Sequence, residues 1–287
     1  MPQFVDIDEN IDYIGVLDYL KNNQEVPYSN PEANGITEEK RNELLQIKTR
    51  GQNAVNEMKK MAKLCEKNFG LSKCIPGSWL DGSNTKTRRY LWTQMKYSDY
   101  ADNPISISIF VEKSEADDVK YRISLEIKND GATKNVMDKY HSFLDKDIDS
   151  ASGLVFVSGS NEQGRPTTIY DSRDSIKQKL ANKEYRKVQL SRYIDRKVDE
   201  TNDYYQSELL ESVKEILPYY EYVIGYKSKV IYPSLEGYDP GISAAQYKEL
   251  LSDGEVVKYS WLDVIYYLYK MGGEATCKQI ALKYGDL

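Results

Sequence analysis

Apolar residues change their spacing several times along this 287-residue chain, and each change predicts a different element. Leu44, Ile47, Ala54, Val55, Met58, Met61, Ala62 and Cys65 recur at helical spacing between 37 and 69, which predicts one long amphipathic helix. Thr37 is placed to cap its start, Glu38 and Glu39 suit the positive end of the helix dipole, and Gly70 stands where a helix stops. Ahead of it, residues 6–21 predict a short acidic helix. Pro27, Pro31, Asn34 and Gly35 then punctuate a linker, which places a boundary near Ile36.

Period two takes over at 105–111, ISISIFV, and at 121–128, YRISLEIK, predicting an antiparallel pair of strands across a polar turn at 112–120. Asn129, Asp130 and Gly131 break the sheet before a helix over 133–144. Residues 153–158 are apolar enough for a central strand, and a Ser/Gly loop leads to a short strand at 167–170 and helices over 172–180 and 199–217. A sheet with helices packed on it follows, an α+β fold with a mixed or mostly antiparallel sheet. Beyond residue 226 the pattern is loop-rich until a helix at 261–271, a turn at Gly272 and Gly273, and a second helix with Thr276 and Gln279 at capping-box spacing. That order matches the front half of a helix-turn-helix or winged helix, cut off at Leu287. The organisation expected is an acidic extension over 1–35, an α/β domain over 36–226, and a linker with a truncated helix-turn-helix-like module over 227–287.

Composition narrows the class. Hydrophobic residues make up 40% of the chain, enough for a sizeable core. The N-terminus carries acids where a secretion signal needs bases, and no run reaches the roughly 18 apolar residues of a membrane span. A cytoplasmic protein is expected. Cys65, Cys74 and Cys277 form no paired framework and read as reduced thiols. A net charge of -6 argues against a coat of positive potential, though not against a local basic site. Tyrosine outnumbers phenylalanine 25 to 5, and most tyrosines are read as core and surface residues.

Such a local site stands at 73–97, KCIPGSWLDGSNTKTRRYLWTQMKY, where Lys73, Lys86, Arg88, Arg89 and Lys96 face only Asp81. Trp79, Tyr90, Trp92 and Tyr97 interleave with the charges, and cations beside aromatic faces suit an unstacked or flipped nucleotide. The same residues also fit a packed strand edge with solvated bases. Glu126 and Lys128 form an ExK on a strand, the spacing of a metal-dependent PD-(D/E)xK nuclease, but 105–111 offers no acidic partner and a polar strand face explains the pair more simply. His141 is the only histidine and reads as structural, and no GxxxxGK[ST] phosphate loop occurs. No metal or other cofactor is implied.

The order of long helix, GSWLDGSNTKTRRYLW, the strands ISISIFVEK and YRISLEIKND, and two helical stretches resembles the N-terminal specificity domain of McrB-like, modification-dependent restriction proteins. The resemblance covers roughly 36–226 and implies a noncatalytic domain that flips a modified cytosine, methylated cytosine foremost, of double-stranded DNA into a pocket. An AAA+ GTPase motor and a nuclease subunit would be supplied elsewhere. It also implies that Trp79, Tyr90 and Trp92 wall the pocket, and that Ser83, Asn84, Lys86, Arg88 and Arg89 contact phosphates or base edges. The competing expectations are the metal-dependent nuclease built on Glu126 and Lys128, and a protein-interaction adaptor.

Overall fold

The computed structural model describes residues 4–7, 9–114, 116, 118–128, 132–147, 152–160 and 165–226. The chain divides into two compact units, Met1–Tyr226 and Lys227–Leu287. The expected helix-turn-helix-like module falls in the second unit and lies outside the described residues.

The first unit is α+β. Two helices come first, α1 (Tyr13–Asn23) and α2 (Glu38–Phe69), then β1 (Lys73–Pro76), β2 (Leu91–Lys96), β3 (Ile105–Lys113) and β4 (Val119–Ile127). Helix α3 (Lys134–His141) runs into a 3-10 turn, followed by β5 (Val155–Ser160), β6 (Pro166–Ile169), α4 (Arg173–Ala181), β7 (Val188–Ile194) and α5 (Asn202–Ile224). The seven strands form one sheet in the order β1-β2-β3-β4-β7-β5-β6, and every neighbouring pair is antiparallel.

The long helix ends as its sequence requires. Thr37 Oγ1 accepts from Lys40 N at 3.3 Å. Gly70 adopts φ 69°, and its N–H reaches Glu66 O, the left-handed cap that glycine makes without a Cβ penalty. Helix α5 continues through Pro218 to Ile224, past the end expected at 217. A proline removes one helical N–H, but Tyr219, Tyr220, Val223 and Ile224 beyond it are buried, and that packing carries the helix on. Helix α1 starts at Tyr13, not at residue 6.

Ile105, Ile107, Ile109 and Val111 of β3 and Tyr121, Ile123, Leu125 and Ile127 of β4 face the helices and are at most 1% exposed. Ile7, Ile11, Val16, Leu17 and Leu20 join the same core as Met58, Met61 and Val213. The boundary expected near Ile36 therefore falls inside one unit. The residues before it are part of the core, and the proline-bearing loop beyond α1 is pinned to the hairpin by Val26 N donating to Thr87 Oγ1 and Thr87 N to Val26 O. Among the described residues no helix is long and apolar enough to cross a membrane.

Candidate functional site

Alternation along a strand sends every second side chain to the face away from the helices. Register fixes which ones meet. Trp92 pairs with Phe110 and Phe110 with Arg122, which pairs with Tyr193; the next row runs Gln94, Ser108, Ser124 and Ser191; Ser106 then pairs with Glu126. Bulky residues thus flank a row dominated by serines. A cavity of about 690 Å³ lies over this face, and its lining reaches from Ile75 on β1 to Gly159 and Pro166 on β5 and β6. Seven flat strands would put β1 and β6 about 29 Å apart, so the sheet curls around the cavity.

The floor is polar and buried. Arg122, 3% exposed, is its hub. Its Nε pairs with the Glu112 carboxylate, and Nη1 donates to Ser124 and Ser191, with Gln189 Oε1 at 3.4 Å. Phe110 lies under the guanidinium, 4.3 Å from ring centroid to Cζ. Gln189 Nε2 donates to Glu126 Oε2, while Glu126 Oε1 accepts from Lys187 Nζ at 2.6 Å and from Ile127 N at 3.0 Å. A continuous chain results, Glu112–Arg122–Gln189–Glu126–Lys187, in which each charge has an opposite charge and the central Arg122 and Glu126 have further hydrogen bonds, the condition under which buried ions are tolerated.

The walls are aromatic and basic. Tyr90 stands 6.1 Å from Phe110, tilted 56°, and Trp92 projects from β2 beside Gly77, whose N–H donates to Trp92 O at 2.9 Å. Gly77 has a steric reason to be glycine, because a Cβ there would meet that carbonyl oxygen at 2.7 Å. Arg88 also lines the cavity, and its buried Nε has no hydrogen-bond partner among the described residues. Lys96, at the far end, donates to Ala101 O at 3.2 Å. Burial pushes its pKa down against the pull of Asp102, and repulsion from Lys128 and Lys73 adds to the fall. Five basic and three acidic side chains line the cavity, so it is cationic in a protein of net charge -6.

Of the residues singled out from sequence, Arg88, Tyr90 and Trp92 come together here. Trp79 does not line this cavity. Its ring packs on α2 at Gly51 and meets Tyr28 edge-on at 4.9 Å. Ser83 and Asn84 form the exposed tip of the preceding hairpin, with Ser83 Oγ donating to Asp81 Oδ2 at 2.8 Å and Asn84 at φ 57°. Lys86 and Arg89 both bond Glu25, at 3.1 and 3.0 Å; Arg89 first and Lys86 second hold its carboxyl below the usual range.

Glu126 and Lys128 both line the cavity. Strand β3 runs on to Lys113 and so includes Glu112, which the sequence pattern assigned to the turn. Glu112 nonetheless lies opposite Lys120, six residues from Glu126 along β4, about 20 Å of backbone, and the Arg122 and Gln189 side chains stand between the two carboxylates. Two carboxylates so placed cannot share an ion, and among the described residues no three His, Cys, Asp or Glu side chains are grouped as metal ligands. Phe110, Arg122, Lys187 and Gln189 are site residues that reading the sequence left out. For Phe110 and Arg122 the signal was their place in the out-facing half of the strand alternation, which reads as a solvated face, whereas Lys187 and Gln189 belong to a stretch not read as a strand.

Such an arrangement can stack a flat ring against Tyr90, Trp92 or Phe110 while presenting donors and acceptors to its edge. Comparison of the chain with protein-family models, with curated proteins and with solved structures returns no match.

Proposed function

We propose that this protein is a DNA-recognition domain of a modification-dependent restriction or anti-phage system, and that the concave face of its sheet receives an extruded, modified cytosine. One observation carries the reading: a cationic cavity of about 690 Å³ with Tyr90, Trp92 and Phe110 as ring surfaces over a polar floor ordered by hydrogen bonds. That volume lies within the range of roughly 300–1,000 Å³ of small-ligand sites, so a nucleobase with its sugar can enter. Enzymes and readers that take a base out of the stack use the same means, aromatic stacking plus hydrogen bonds to the base edge. Cleavage chemistry, and the AAA+ GTPase motor that would drive it, belong to partner proteins in this reading.

Fluorescence-polarisation titration against duplexes carrying cytosine, 5-methylcytosine or 5-hydroxymethylcytosine tests it, with salt varied because phosphate contacts weaken as salt rises. One modified duplex is expected to bind tighter than the unmodified one. Trp92→Ala is expected to cost about 1–3 kcal/mol of affinity, the worth of a base stack. Trp79→Ala, which alters packing outside the cavity, leaves the affinity per folded molecule unchanged. No DNA binding at low salt, or equal losses in the two variants, overturns the proposal.

A further inference from the structure

Two hydrogen-bonding capacities at the cavity floor remain open once the internal network is complete. Arg122 uses Nε on Glu112 and Nη1 on Ser124, Ser191 and Gln189, and among the described residues its Nη2 has no acceptor. Arg122 lines the cavity although it is 3% exposed, so these donors sit at the floor. Glu126 Oε1 is taken by Lys187 and Ile127, whereas among the described residues Oε2 accepts from Gln189 alone. A carboxylate oxygen takes two such bonds, which leaves one acceptor position on Oε2. Gln189 holds the two apart and cannot be reversed, since its Oε1 faces Arg122 and its Nε2 faces Glu126.

We infer that Glu126 and Arg122 read the Watson–Crick edge of the bound base, Glu126 taking an exocyclic amine and Arg122 donating to the acceptors beside it. The inference rests on the cavity receiving an extruded base, and it adds which base chemistry fits. Cytosine presents the order required: an amine donor, then the ring nitrogen and the carbonyl oxygen as acceptors. Thymine places a carbonyl against the carboxylate and an N–H toward the guanidinium. Guanine carries one acceptor followed by two donors, and adenine has an amine and one acceptor but only C–H where the second is needed. The pairing of a fixed carboxylate with a fixed guanidinium therefore selects cytosine and its 5-substituted forms, and the selection comes from strands β4 and β7, far in sequence from the aromatic wall.

The test changes the base and leaves the protein intact. Matched duplexes carry, opposite one guanine, 5-methylcytosine, its analogue without the exocyclic amine (5-methyl-2-pyrimidinone), or thymine. Both substitutes pair poorly with guanine and cost less to extrude, so weaker binding cannot come from harder flipping. Each is expected to bind at least about tenfold more weakly than 5-methylcytosine, the range that loss of a base-edge contact covers. Glu126→Gln, whose amide can donate to the thymine carbonyl, is expected to narrow the gap between 5-methylcytosine and thymine. Substitutes that bind as tightly as 5-methylcytosine, in a protein still weakened by Trp92→Ala, overturn the edge reading and leave base entry standing. If Trp92→Ala has no effect on any duplex, base entry fails and this inference with it. Should Glu126→Gln not fold, the base series alone decides.

Discussion

His141 accepts a hydrogen bond from Val188 N through Nε2 at 3.2 Å, which requires that nitrogen to be unprotonated. Burial pushes its pKa down to about 4, with Asp138 opposing the fall and Lys187 adding to it. An unfolded histidine titrates near 6.5, so on acidification the unfolded chain takes up the proton first. The contribution to stability is whole above about pH 6.5 and falls as pH drops toward 4, by up to roughly 3 kcal/mol. Below that the two states titrate alike at this group. His141→Gln keeps an acceptor but removes the titration. Its unfolding free energy, measured in denaturant, is expected to lose less between pH 6.5 and 4 than that of the parent protein; equal losses would show that His141 does not set the slope. The tyrosines answer at this scale too. Tyr121 donates to Tyr13 O at 2.9 Å and Tyr140 to Leu125 O at 2.8 Å, both from full burial, so much of the tyrosine excess fills the core, and among the described residues Tyr90 is the one tyrosine lining the cavity.

At the level of elements, Gly51 and Trp79 set a steric lock on α2. A Cβ at Gly51 would meet Trp79 Cδ2 and Cε3 at 2.6 Å. Alanine in a helix interior is worth about 1 kcal/mol over glycine, yet overlap of this kind costs typically 1–3 kcal/mol. The overlap is expected to win, so Gly51→Ala lowers the unfolding free energy, while in a Trp79→Ala background the same change raises it. A gain in both backgrounds would mean the ring moves freely. Elements also differed in how well the sequence displayed them. Helix α2 was legible because its caps and apolar stripe agree with burial, and the pair β3–β4 because alternation marks which face each side chain takes, although the polar face is buried as well. Strand β7 was not. Its alternation inverts at Arg192, which shares the helix-facing side with Leu190 and Ile194 and reaches Glu208 and Glu215 of α5 at 2.9 Å each. A charged residue inside is legible only when its partners are known. Strand β2 hid for the opposite reason: buried Thr93 stands between Leu91 and Met95 on the core side, while Trp92 faces the cavity, so polarity and burial run against each other. The aromatic wall was legible as a local cluster, whereas the floor was not, since Arg122, Glu126 and Gln189 meet only through strand order.

For the whole molecule, the decisive feature is that one sheet separates two chemistries. Its helix side is an apolar core, and its other side is a curled, cationic bowl in a chain of net charge -6. An overall negative protein is repelled by DNA at long range, so association should depend on contacts at the bowl and its rim and not on general attraction. Gly159 allows that dependence to be tested without touching a ring or a charge. It lies on the cavity lining in β5, next to a register shift between Ser158 and Ser160, and a Cβ built there meets nothing within 4 Å. Its φ is not in the left-handed region, so a side chain is sterically admissible, and β-branched residues suit strands. Gly159→Ile should therefore leave the thermal midpoint unchanged or raise it, because replacing glycine restricts the unfolded chain, while placing a branched side chain at the cavity mouth. If ligands enter the bowl, affinity for the preferred duplex falls by at least about tenfold, the scale of one lost base contact, and the salt dependence of the remaining binding stays as before because phosphate contacts persist. Unaltered affinity in a well-folded Gly159→Ile protein would mean that DNA binds on another surface, and the curled face would then have to be explained as architecture alone.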